Sequence, residues 1–121
     1  MTSIEYNDIM EKLLNIVLQK TYNAELEWVT SIGTDGSMKY ETTLMPQEIT
    51  ITCVLNILNR QYETYDADMF ITINNVCMPF SWFACDMIES SECRAKASEL
   101  RFVLLENSKK FVLSKLKDLI I

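Results

Sequence analysis

The sequence predicts an α+β fold with an N-terminal helix, a mainly antiparallel sheet of about five strands, and a C-terminal helix or helix pair. Apolar residues recur at helical spacing near both ends of the chain and alternate with polar ones between. Two turn signals, Gly33-Thr34-Asp35-Gly36 and Asn74-Asn75, punctuate the alternating stretch. Helices segregated from strands in this way favour α+β over an alternating parallel sheet.

Thr2 and Glu5 have the spacing of a capping box, and Tyr6, Ile9, Met10, Leu13 and Val17 follow at helical intervals, so residues 3–20 read as an amphipathic helix. From Glu25 the period becomes two. Leu26, Trp28, Thr30 and Ile32 alternate with Glu25, Glu27, Val29 and Ser31, as in a strand with one buried face. After the Gly33 to Gly36 turn, Met38, Tyr40, Thr42 and Leu44 form the return strand, with Trp28 and Tyr40 expected on the same sheet face.

Residues 47–64 fit two patterns. Pro46-Gln47-Glu48 resembles a helix start, and Ile51, Leu55, Leu58, Tyr62 and Tyr65 keep helical spacing, yet Ile49, Ile51, Cys53, Leu55 and Ile57 alternate strictly. The β-branched run Ile49 to Thr52 favours a strand, because such side chains lose rotamer freedom in a helix. Met69 to Ile73 and Val76 to Ala84 then flank Asn74-Asn75, which tolerates left-handed hairpin geometry; Pro79 marks an edge strand or a bulge. From Ser91 helical spacing returns through Ala97, Leu100, Leu104, Phe111 and Leu119, and Asn107-Ser108 is a candidate break between two helices.

A chain of 121 residues fits one globular domain spanning 1–121. Hydrophobic residues at 49% and charged residues at 23% are close to globular averages, so long disordered linkers are not expected. The opening residues lack the basic start of a signal peptide and no apolar run reaches the length of a spanning helix, which predicts a soluble, cytoplasmic protein with no membrane role. Cys53, Cys77, Cys85 and Cys93 are then expected as reduced thiols that pack as small hydrophobes; their wide spacing, without any His, does not suit a zinc site.

The net charge of −6 is unevenly spread: residues 1–92 hold 14 acids and 4 bases, while residues 93–121 hold 3 acids and 7 bases. An acidic body repels phosphate backbones and attracts basic partners, so direct nucleic-acid binding is not expected. The basic C-terminal stretch pairs its charge with an apolar face over residues 108–121, as membrane-surface helices do, but Glu99, Glu106 and Asp118 dilute the charge and a core-packed helix with a solvated outer face is expected.

Without His, the chain has no Ser-His or Cys-His nucleophile pair, and its two glycines make no phosphate loop. No catalytic residue, metal ligand or cofactor is therefore assigned. Glu63, Asp66 and Asp68 gather before the expected Met69 strand and suit docking of a basic surface, or merely a solvated connection. Phe80, Trp82 and Phe83 put rings on both faces of a strand. If the helices cover only one face, part of that segment lies open as a partner interface.

Together these features predict a non-enzymatic protein that neutralises or chaperones a partner with a basic surface, of the immunity-protein, phage-coded-inhibitor or secretion-chaperone type. A chaperone of this kind would be a homodimer with apolar grooves for an extended client. The alternative is a small-molecule binder that stacks a ring on Trp28, Tyr40 or Trp82 and meets an anion with Arg60 or Lys39. An enzyme limited to Asp, Glu, Tyr, Lys or Cys would instead show a strongly shifted carboxylate in a cleft.

Overall fold

A computed structural model describes residues 3–33, 36–59, 64–80 and 91–120, with the backbone alone at 3, 4, 6, 56–59, 64–68 and 91. Helix α1 spans Ser3–Tyr22, strands β1 to β5 span Val29–Ile32, Met38–Leu44, Ile49–Asn59, Thr64–Ile73 and Val76–Pro79, and helix α2 spans Ser91–Ile120. The strands pair in chain order as an antiparallel meander, so β1 and β5 are the edges. The expected α+β order is therefore present.

The ambiguous stretch after Pro46 is a strand. Pro46-Gln47-Glu48 lies in a turn, with Glu48 at a φ of 58°, and β3 pairs along β2 from Leu44↔Ile49 to Met38↔Leu55. The β-branched residues Ile49 to Thr52 sit in this pleated stretch, where their restricted rotamers cost least. At the next turn Asn74 and Asn75 both have positive φ, 51° and 67°, the geometry a two-residue hairpin requires. Pro79 ends edge strand β5, where a missing N–H costs the ladder nothing. Gly36, at a φ of 85°, closes the first hairpin, where its N–H donates to the Gly33 carbonyl.

Both helices lie on one face of the sheet. Tyr40, Leu44, Ile51, Cys53, Leu55, Met69 and Ile71 point into the layer between, meeting Met10, Leu14, Val17 and Leu18 of α1 and Cys93, Ala97, Leu100 and Leu104 of α2. The buried line of α1 is thus Met10, Leu14, Val17 and Leu18, rotated from the expected one: Ile9 is largely exposed and Leu13 packs at the margin. Leu26 and Trp28 pack against this core from outside β1, which is shorter than the alternation suggested. The opposite sheet face is threonine-rich; there Thr43 and Thr50 hydrogen-bond at 3.1 Å and the buried Thr52 donates to Glu41 at 3.3 Å.

α2 is one continuous helix and not a pair. Asn107 and Ser108 keep their backbone N–H groups and so extend the ladder, and the Ser108 hydroxyl bonds the buried Tyr40 hydroxyl at 3.0 Å. The Cys93 thiol donates to the Asn7 carbonyl, Lys96 pairs with Glu11 at 3.0 Å, and the Tyr22 hydroxyl donates to Glu99 at 2.8 Å. These contacts make the helices run in the same general direction. α2 then continues past the end of α1, and every residue from 109 to 120 is exposed.

Candidate protein-binding surfaces

Strand β1 is an edge with an open outer side among the described residues, and all four of its residues are exposed. Val29 lies opposite Glu41 and so belongs to the threonine-rich face, whereas Ile32 lies opposite Met38 on the helix side. Both are large and apolar, and they are 61% and 75% exposed. Pairing only with β2 leaves the outward backbone N–H and C=O groups of the strand available to another chain.

Carboxylates surround this edge. Glu25 and Glu27 lead into β1 and are exposed, while Glu27, Val29, Glu41, Thr42 and Thr43 line a shallow groove beside it. The Thr42 hydroxyl donates to the Glu27 carbonyl at 2.8 Å and anchors the segment entering the strand. Lys39, opposite Ser31, is the neighbouring cation in register. An extended segment carrying Lys or Arg between apolar residues matches this mixture of open backbone, apolar side chains and acid.

Phe80 follows β5 and is buried in the core at 7% exposure, because its ring turns inward beneath the sheet and is not displayed. Trp82, Phe83 and Glu63 lie outside the described residues. Asp66 and Asp68 do not precede a strand: β4 begins at Thr64, and their backbones pair with Asn56 and Val54.

The groups expected to hold a small ligand are not brought together. Tyr40 is buried and bonded to Ser108, and Trp28 donates its indole N–H to Thr21, whose own hydroxyl donates to the Val17 carbonyl. Lys39 is exposed on β2, while Arg60 and Trp82 lie outside the described residues. A different groove, of about 330 Å³, lies between α1 and the β2–β3 turn, lined by Leu13, Ile16, Leu26, Leu44, Met45 and Ile49 with Lys20 and Gln47 as its polar groups.

The thiols divide by burial. Cys53 and Cys93 are buried and Cys77 is exposed; desolvation pushes the Cys53 thiol up to about 12, partly countered by Arg101. Tyr22 is held above its ordinary value chiefly by the hydrogen bond to Glu99. Among the described residues no group of three His, Cys, Asp or Glu side chains is placed to hold a metal ion, and no helix is long and apolar enough to cross a membrane.

The second exposed surface is the free half of α2, which displays Phe111, Val112, Leu113, Leu116, Leu119 and Ile120 together with Lys109, Lys110, Lys115 and Lys117. The sequence shows this combination of charge and apolar side chains. The expectation of a core-packed helix with only a solvated outer face fails here, because the helix outruns the layer that covers it.

Compared with protein-family models, curated proteins and solved structures, the chain matches none of them.

Proposed function

We propose that this protein is a non-enzymatic binding protein that chaperones or neutralises a partner by taking up an extended, basic segment of it along the β1 edge. The observation that carries this reading is the open strand β1, with Val29 exposed beside Glu27 and Glu41 and Ile32 exposed on the other face. Main-chain pairing to an edge supplies affinity without sequence demands, and the side chains on alternate faces supply selectivity. The acidic charge of residues 1–92 supports a basic partner through faster encounter. A chain without His or a phosphate loop also lacks the usual means of acid-base or nucleotide chemistry.

Selection from a random peptide library on the immobilised full chain tests this. The reading predicts recovery of segments that alternate apolar residues with Lys or Arg, and loss of about ten-fold or more in affinity with Val29→Asp or Ile32→Asp. Indifference of the selected peptides to both substitutions contradicts it. One observation favours a second reading, sequestration of a small apolar anion: the groove beside Lys20 combines an apolar lining with one cation. Lys20→Glu abolishes binding in that case and leaves the peptides unaffected.

A further inference from the structure

α2 is built with two apolar lines, and only one of them faces the sheet. Cys93, Ala97, Leu100 and Leu104 form the core-facing line. Phe102, Leu105, Val112, Leu116 and Leu119, with Lys109 among them, form the second, at alternating steps of three and four residues. That period of about 3.5 residues is what keeps one helix against another. At about 100° per residue the two lines are about a third of a turn apart. Phe102, Val112, Leu116 and Leu119 are 64%, 53%, 47% and 81% exposed, while Leu105 packs at the edge of the core. The continuation of the core-facing line turns mixed instead, with Lys115 and Asp118, and the Lys115 ammonium stands 5.6 Å from the centre of the Phe111 ring.

Charge and register identify what suits the second line. If two copies of α2 lie antiparallel with Lys109 opposite Val112, then Phe102 meets Leu119 and Leu105 meets Leu116, so every position of the line faces another member of it. This register sets the flank carrying Lys110 and Lys117 along the flank carrying Glu99 and Glu106 of the other copy. Lys109, the charge within the line, already has its counterion, since its Nζ is 3.4 Å from Glu106. The end of each helix then reaches the groove beside Phe102 that Tyr22, Val103, Glu106 and Lys110 help to line.

We propose that the protein forms a two-fold homodimer through antiparallel pairing of α2 along Phe102, Leu105, Lys109, Val112, Leu116 and Leu119. An anionic membrane fits this surface less well, because Lys109 interrupts its apolar centre and the acidic charge of residues 1–92 is repelled by anionic headgroups. The dimer uses a surface separate from β1, so partner binding and dimerisation succeed or fail independently.

Light scattering on the full chain under reducing conditions tests the proposal. The expected mass is twice 14.1 kDa. Val112→Glu with Leu116→Glu should weaken association by about 100-fold or more without changing the far-UV circular dichroism of the monomer. For orientation, Leu105→Cys and Leu116→Cys are placed in separate copies lacking Cys77 and Cys85. Mixed and mildly oxidised, they should yield a disulfide-linked heterodimer, and neither should cross-link alone. A monomer throughout the concentration range, a dimer indifferent to the glutamates, or cross-linking of either variant alone overturns the proposal. So does a monomer that cosediments with phosphatidylserine vesicles.

Discussion

At the residue scale, cysteine chemistry follows from burial. Cys77 stands exposed on edge strand β5, while Cys53 and Cys93 are enclosed. In a Cys85→Ser background, a thiol reagent should modify Cys77 at once and the other two only as fast as the protein opens. Rapid modification of Cys53 in the folded protein would contradict its place in the core. Its ionisation also couples to folding. The unfolded thiol ionises near its ordinary value of 9.0, whereas the folded one is pushed up to about 12. Between those limits the unfolded chain gives up a proton that the folded chain keeps. The stabilising contribution is therefore intact below pH 9 and falls by roughly 1 kcal/mol per pH unit from there up to about pH 12. Urea titrations across that range should show the loss, and Cys53→Ala should flatten it; an unchanged alkaline slope in that variant argues against the assignment.

At the element scale, α2 is one helix whose two halves stand in different surroundings. Its first half is held by burial of Leu100 and Leu104 and by the bond from Ser108 to Tyr40, whereas residues 109–120 are exposed. Leu100→Ala should cost about 2–5 kcal/mol of folding free energy. Leu116→Ala should leave the stability of a Val112→Glu variant, measured at a concentration where it is monomeric, unchanged within about 0.5 kcal/mol. Denaturant unfolding of the two variants gives the comparison directly, and equal losses would mean that the second half is packed in the monomer.

The elements also show what could be read beforehand. The β-branched run of β3 and the paired asparagines before β5 are local signals, sufficient because rotamer restriction and positive φ act within a few residues. The buried line of α1 was less legible. Ile9, Leu13 and Ile16 are as apolar as Met10, Leu14 and Val17, and only the position of the sheet decides which line is covered. The unity of α2 was hidden for a similar reason, since Asn107 and Ser108 are poor helix formers whose cost is offset at Ser108 by a bond to Tyr40, 68 residues away.

At the scale of the whole molecule, two helices cover one sheet face, and among the described residues an acidic strand edge and a basic apolar helix end lie exposed. The aromatic segment was the clearest site signal in the sequence, and Phe80 is in the core. A ring beside an edge strand is ambiguous until the chain's turn inward is known. The β1 edge gave a weaker signal: alternation identified a strand there, but alternation carries no information on which strands pair and which are left at the margin. Exposure of Val29 and Ile32 follows from topology, a property of the whole chain.

Affinity capture from the native host with the tagged chain, beside its Val29→Asp and Ile32→Asp variants, is the decisive test of partner binding at the β1 edge. One basic protein is expected in a stable stoichiometric complex that both variants lose. Capture that persists in both variants, or purified chain carrying a bound metabolite with no protein partner, would contradict it.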